Sequence, residues 1–186
     1  MTAPTDSGYR QSHQGCGTEY HSQFSDNPRR RMMWQIEQAM LEDILEATRQ
    51  QSTDEITYLD FACGTGRVLG FVSEHTNTAT GVDVSDSMLE VAATSAPGAE
   101  LISADITQDD SPLSGRHFEL ITAFRFFPNA EPGLRSEAIR ALADCLSPDG
   151  RLVFNTPRCL SSLRRRLGRL LTLGRKGRPG MTRHEV

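Results

Sequence analysis

Residues 58–67 carry the sequence YLDFACGTGR, in which an apolar strand runs into a glycine turn and then into a helix. Gly64 and Gly66 let the backbone pass close to a ligand, and the helix start behind them offers free N–H donors. Asp60 lies under the turn, where it can accept hydrogen bonds from backbone N–H groups or from a ligand ammonium. Taken alone, a glycine pair after a strand is equally compatible with a simple tight turn.

On both sides of this turn the sequence pattern alternates between strands and helices. Asn27 and Pro28 suit the start of a first helix that reaches about Gln50. The pattern then predicts strands at Ile56–Phe61, Thr78–Asp83, Glu100–Ala104, Phe118–Phe124 and Arg151–Asn155, with helices at Gly66–Glu74, Ser85–Ser95 and Glu131–Leu146. Short strands joined by helices predict an α/β fold with a doubly wound, mostly parallel sheet.

A second motif ends the second predicted strand. Asp83 stands 17 positions after Gly66 in the sequence GVDVS, which covers residues 81–85. A carboxylate at this place can accept both ribose hydroxyls of a ligand, as the acid after the glycine turn does in dinucleotide-binding folds. The alternative is an acid that opens the next helix, but Ser85 and Asp86 already supply that cap. The glycine turn and Asp83 at this spacing are together stronger evidence for a ligand site than either one alone.

A third motif, SADI at residues 103–106, follows the third predicted strand. Asp105 can accept from an adenine amino group, while Ile106 and Met88 cover the flat ring. In isolation Asp105 would be read as a solvated loop acid. The position of Asp105 after a strand supports a role in binding, because ligands of open parallel sheets bind beyond the carboxyl ends of the strands.

Together these motifs resemble the class I S-adenosylmethionine-dependent methyltransferase family, over Ile56 to Pro157. The resemblance implies a Rossmann-like fold, S-adenosylmethionine as the cofactor, and methyl transfer as the activity. It implies that Asp60 holds the amino end of the cofactor and that Asp83 binds its ribose. The other implied cofactor-binding residues are Ala62, Gly64, Thr65, Gly66, Val84, Met88, Asp105, Ile106 and Ala123. Ala62 stands where many relatives have glycine.

A nicotinamide-dependent enzyme is the main alternative on the same kind of sheet. Its fingerprint requires GxGxxG, whereas the third glycine here, Gly70, comes one place late. That alternative also gives Asp60 and Asp105 no role.

The methyl acceptor should lie beside the segment Ala123–Asn129, after the fourth predicted strand. Arg125 can orient an anionic acceptor, and Phe126 with Phe127 can enclose an apolar one, although both rings are equally compatible with the core. The segment lacks the Asn-Pro-Pro-Tyr sequence of enzymes that methylate base amines. We therefore predict a small-molecule acceptor and disfavour nucleic acid. No catalytic residue is assigned, because methyl transfer depends mainly on alignment and does not require a base.

The pattern divides the chain into a flexible arm or lid at 1–26, a cofactor-binding domain at 27–157 and a basic, partly helical tail at 158–186. Nine of the 20 basic residues lie in the tail, beside one acid, Glu185. Leucines of the tail share one helical face, so the tail can contact an anionic membrane, cover the acceptor pocket or pack on its own domain. Nucleic-acid binding through the tail is a third functional class that the sequence leaves open.

The family usually continues after the fifth strand with a helix and an antiparallel strand pair. Only 29 residues follow Pro157, so we expect this chain to lack that pair and to be a shortened methyltransferase. The Ser/Thr-x-x-Glu pattern at 182–185 agrees, since it opens a helix that the remaining chain cannot supply. A non-catalytic cofactor-binding module is therefore the second functional class.

The remaining composition sets broad limits. The four cysteines lack metal or disulfide spacing, so neither a metal site nor a disulfide framework is predicted. The N-terminus has no secretory pattern, and no apolar run reaches membrane-spanning length, which favours a cytoplasmic protein. The oligomeric state is left open.

The role assigned to Asp83 gives a direct prediction. Asp83→Ala should weaken the binding of both S-adenosylmethionine and S-adenosylhomocysteine at least about tenfold, because hydrogen bonds to a charged group contribute about 1.5–3 kcal/mol. Isothermal titration calorimetry measures both affinities. Unchanged affinity would refute the assignment of the second motif.

Overall fold

The computed structural model of the chain describes residues 27–51 and 55–156. Its first element is the helix α1, Pro28–Arg49, which begins as predicted. The side-chain oxygen of Asn27 accepts from the backbone N–H groups of Arg29 and Arg30, at 3.0 and 3.3 Å. Pro28 occupies the first turn, where its missing N–H costs nothing.

The sheet has five strands in the order β3-β2-β1-β4-β5, and every pair among the described residues is parallel. The predicted doubly wound α/β fold is therefore confirmed. The strands are β1 Thr57–Phe61, β2 Thr78–Asp83, β3 Glu100–Ser103, β4 Phe118–Ala123 and β5 Leu146–Phe154. The helices that connect them are α2 Arg67–Ser73, α3 Asp86–Ser95 and α4 Pro132–Asp144.

Two apolar cores cover the two faces of this sheet. Alternate residues of a strand point to opposite faces, and Leu59 of β1 accordingly packs with α4, whereas Tyr58 packs with α1 and α2. Leu120 and Ile121 of β4 divide in the same way. The chain moves outward from β1 to β3 and then returns to β4 on the other side of β1. The strand order therefore reverses between β1 and β4, which is where such sheets bind ligands.

The structure departs from the sequence pattern in two places. A short 3₁₀ helix, Ser111–Leu113, precedes β4 and was not predicted. The fifth strand, predicted to begin at Arg151, begins at Leu146 and contains an irregularity, where Phe118 pairs with Leu146 but Leu120 already pairs with Arg151. Among the described strands β5 lies at an edge, where a bulge disturbs only one neighbour.

The predicted arm, 1–26, and the predicted tail, 158–186, lie outside the described residues, and so does any strand after β5. The division of the chain into these three parts therefore stays a prediction. Within the described part of the chain, no helix combines the length and the apolar character that crossing a membrane requires.

Helix α2 approaches α3 so closely that one glycine leaves no room for a side chain. A Cβ built on Gly70 would lie 2.3 Å from the carbonyl oxygen of Ser95. Gly66, at the N-terminus of α2, is similarly confined, since its Cβ would lie 2.9 Å from Ala92. The contact fixes the position of α2 on the sheet and with it the glycine turn.

We expect Gly70→Ala to lower the free energy of unfolding by about 1–3 kcal/mol, because backbone atoms must move to accept the added methyl group. Gly133→Ala in α4 is the matched control, since a Cβ there meets nothing within 4 Å. The control should be neutral or slightly stabilising, as alanine favours a helix over glycine. Urea unfolding compares the two, and equal effects would contradict the assignment.

Candidate cofactor-binding site

A crevice opens where the strand order reverses, beyond the carboxyl ends of β1, β2 and β4. Its empty space amounts to about 1000 Å³, including the part open to solvent. Ten of the fourteen residues predicted from the sequence line it. They are Asp60, Ala62, Gly64, Thr65, Asp83, Val84, Met88, Asp105, Arg125 and Phe126.

The glycine turn after β1 uses backbone conformations that side chains disfavour. Gly64 and Gly66 have positive φ angles of 56° and 75°, and Ala62 has a φ of 54°. The left-handed conformation costs a residue with a Cβ roughly 1–2 kcal/mol, which explains why glycine suits the position of Ala62. A Cβ on Gly64 would meet nothing within 4 Å, so its open side leaves room for a ligand.

Asp83 connects the ends of β1 and β2. One of its carboxylate oxygens accepts from the N–H of Gly64 at 2.8 Å, and the other accepts from the N–H of Ser85 at 3.0 Å. Asp83 also lines the crevice, and a carboxylate can accept about four hydrogen bonds. Asp83 therefore also braces the glycine turn, which the sequence motif did not reveal.

The loop after β3 forms another wall of the crevice. Asp105 lines it and accepts from the backbone N–H of Thr107 at 3.1 Å and from the Thr107 hydroxyl. Met88 lines the crevice from the start of α3. Ser85 occupies the helix-capping position as predicted, but its side chain makes no capping bond, and its hydroxyl lies 3.1 Å from that of Ser87.

Four predicted residues do not line the crevice. Ile106 is 3% exposed and packs in the core on the α4 face, and Ala123 is buried in the same core. Phe127 packs against Phe154, with ring centroids 4.5 Å apart. Gly66 is confined by α3, as described above. Their predicted contact with the cofactor therefore stays a prediction.

Phe126 combines the two roles that the sequence left open. It lines the crevice, and its ring also meets Phe61 edge to face, with centroids 4.8 Å apart. The preceding residue, Arg125, has a φ of 65°. Its N–H donates to the side-chain oxygen of Asn155 at 2.6 Å, which fixes the loop after β4 to the end of β5.

Asp60 lies at the base of the crevice and is 2% exposed. Burial raises the pKa of its carboxyl to about 7, against the opposing effects of a hydrogen bond from Thr122, the charge of Arg67 and the backbone N–H of Leu69. The Leu69 N–H belongs to the first turn of α2, whose N-cap residue makes no side-chain capping bond. Asp60 thus faces the positive end of that helix.

A cluster that sequence analysis missed connects α1 to the crevice. A carboxylate oxygen of Glu37 lies 3.0 Å from Nη1 of Arg67 and 3.6 Å from Nη2 of Arg125. The Arg67 guanidinium also stacks 4.0 Å from the ring centre of Trp34. Burial and the nearby Arg125 lower the pKa of Arg67. The helical spacing of α1 contains no signal that distinguishes Glu37 from the other acids of this helix.

Comparison with known proteins agrees with this geometry. A family model described as a methyltransferase domain matches residues 59–150, from β1 into β5. An amino pentose methyltransferase from Micromonospora echinaspora, solved with bound S-adenosylmethionine and involved in calicheamicin biosynthesis, is similar with a TM-score of 0.57 and 25% identity. The chain belongs to the class I S-adenosylmethionine-dependent methyltransferase family.

Other solved structures share this architecture. DesVI of Streptomyces venezuelae is 26% identical with a TM-score of 0.52, over 63% of this chain. The magnesium protoporphyrin IX methyltransferase of Synechocystis matches 95% of this chain and 83% of its own, at a TM-score of 0.69, but at 14% identity it shows the fold alone. No curated protein sequence matches the chain.

The chain spans only part of these relatives. Of the Micromonospora protein it covers 54%, with 74% of this chain aligned, and of DesVI it covers 49%.

The raised pKa of Asp60 predicts a pH-dependent effect of Asp60→Asn. The folded protein holds the proton up to about pH 7, whereas an unfolded aspartate loses it near pH 4. This group therefore contributes stability that is present below pH 4 and is lost as the pH rises through 7. The stability of Asp60→Asn relative to wild type should increase by roughly 1–3 kcal/mol between pH 5 and pH 8.

Urea unfolding at several pH values tests this prediction. Asp149→Asn, at an exposed position of β5, is the control and should show no such trend. A difference between Asp60→Asn and wild type that stays constant from pH 5 to pH 8 would contradict it.

Proposed function

We propose that this protein transfers a methyl group from S-adenosylmethionine to a small-molecule acceptor. The observation that carries the proposal is the meeting of three carboxylates, from the ends of β1, β2 and β3, around one crevice with a glycine turn. Each of them matches a different part of the cofactor.

The residues of the crevice fit the cofactor in shape and in charge. The open side of Gly64 and the neighbouring Thr65 leave space for the methionine part, and Asp60 complements its ammonium group. Asp83 would accept the ribose hydroxyls, while Asp105 and Met88 would hold the adenine. When bound, S-adenosylmethionine supplies a methyl group activated by its positive sulfur. Its positive charges match a site in which Asp60 and Asp83 face the ligand.

The acceptor would bind beside the loop after β4, where Phe124, Arg125 and Phe126 line the crevice. Hydrogen bonds to Asn129 and Asn155 hold this loop. Such a fixed wall can align the acceptor atom, and alignment by itself is worth about 7–11 kcal/mol in bimolecular reactions. A small acceptor also agrees with the similarity to the amino pentose methyltransferase.

A non-catalytic cofactor-binding module is the second candidate. The described crevice fits this candidate equally well, because its residues account for cofactor binding and none of them is assigned a catalytic role. Such a module would keep the crevice described here, with its cofactor affinity, and would lack part of the acceptor site.

Calorimetry with S-adenosylmethionine, S-adenosylhomocysteine and NAD, followed by an acceptor screen, tests the proposal. We expect binding of the first two ligands only. The screen would use S-adenosylmethionine with a deuterated methyl group and a panel of amino sugars, phenols and carboxylates, with mass spectrometry of the products. Asp83→Ala is the negative control.

Transfer of the labelled methyl group by wild type, and loss of transfer in the variant, would support the enzyme. Tight cofactor binding with no product from any acceptor would favour the module. Absence of cofactor binding would refute both.

A further inference from the structure

A chain of hydroxyl groups inside the sheet ends on Asp60. The Tyr58 hydroxyl lies 2.6 Å from that of Thr122, and the Thr122 hydroxyl lies 2.6 Å from the Asp60 carboxylate. Tyr58 and Thr122 are both fully buried, and Asp60 is nearly so. Tyr58 and Asp60 are two apart on β1 and so share a face, while Thr122 pairs directly with Asp60 across to β4.

The direction of these hydrogen bonds follows from the number of protons. A threonine hydroxyl has one proton to donate, and Thr122 donates it to Asp60. The Tyr58 hydroxyl must then donate to Thr122. Burial raises the pKa of Tyr58 well above 10, so the phenol stays a neutral donor at physiological pH. Both hydroxyl dipoles consequently point toward Asp60.

We propose that Thr122 and Tyr58 are positioning residues for cofactor binding, which hold the Asp60 carboxylate in the ionised form and in the orientation that receives the ammonium group of S-adenosylmethionine. This inference rests on the proposed function. It adds that two buried residues, which do not line the crevice, set the pH range over which the site accepts the amino acid part of its ligand.

Several other charged groups surround Asp60, but none of them lowers its pKa as much as Thr122 does. Arg67 of α2 favours the ionised form, and Asp83 of β2 opposes it. The charge of Arg67 is shared with Glu37 of α1, and Arg125 lies close to both. Burial also raises the pKa of Cys63 in the glycine turn, so its thiol is neutral. Of the groups that lower the pKa of Asp60, the hydroxyl of Thr122 has the largest effect, ahead of Arg67.

A pair of ligands separates this role from a general structural one. S-adenosylhomocysteine carries the ammonium group, whereas 5′-methylthioadenosine has the same nucleoside and sulfur without the amino acid. Calorimetry from pH 6 to pH 8.5 would measure both ligands with wild type, Thr122→Val, Thr122→Ser and Tyr58→Phe. Thr80→Val is the matched control, because Thr80 is also buried in a strand but bonds to Arg116 and Glu100.

For wild type, affinity for S-adenosylhomocysteine should rise with pH through about 7, as Asp60 loses its proton, and then level off. In Thr122→Val the midpoint of the rise should move up by about one pH unit, which weakens binding by up to about tenfold at pH values below the wild-type midpoint, since one pKa unit is a factor of ten. Tyr58→Phe should shift the midpoint in the same direction but by less. Thr122→Ser and Thr80→Val should behave like wild type, and 5′-methylthioadenosine should change less than about twofold.

An unchanged pH profile in Thr122→Val, or an equal loss of affinity for both ligands, would overturn the proposal in favour of a structural role. If Thr122→Val does not fold, Tyr58→Phe decides by the same criteria. Failure of the proposed function gives a different result, because wild type would then bind neither ligand. That result would also refute the inference, which rests on the proposed function.

Discussion

The parallel pairing of β1 with β2 on one side and with β4 on the other determines where chemistry can occur in this protein. Register places Asp60 opposite Gly81 of β2 and opposite Thr122 of β4. The strands therefore end at the same level, and the hydrogen bond from Gly64 to Asp83 closes the turn over them. A shift of one residue in either pairing would turn Asp60 to the opposite face of the sheet.

The site contains an ionisable group in an environment that disfavours its charge. Burial of Asp60 is opposed by the Thr122 hydroxyl, by the start of α2 and by Arg67, and the balance leaves its pKa near neutrality. The ionised Asp60 carboxylate therefore destabilises the folded protein, and a cationic ligand would compensate its charge. Functional sites commonly carry such a conflict between stability and binding.

Helix α1 contacts two charged residues that line the crevice, although it precedes the glycine turn in the sequence. Leu41 and Leu45 anchor the helix in the core on the α2 face, and Glu37 then meets Arg67 and Arg125. The two arginines come from separate segments, the start of α2 after β1 and the loop after β4, so one carboxylate contacts both. The Glu37 side chain is only 12% exposed, so solvent screens these pairs less than it screens an exposed ion pair.

The sequence by itself determined the order of strands and helices, the glycine turn and the acids that end β1, β2 and β3, because hydrophobic periodicity, glycine and helix caps act locally. It could not decide whether Phe127 walls the crevice or belongs to the core, and the structure packs it against Phe154, because nearness in sequence does not decide which way a side chain points. Only the tertiary structure decided the partners of Asp60 and the cluster around Glu37. Strand register and helix packing create these contacts between residues up to 88 positions apart, Glu37 to Arg125, and no local pattern contains them.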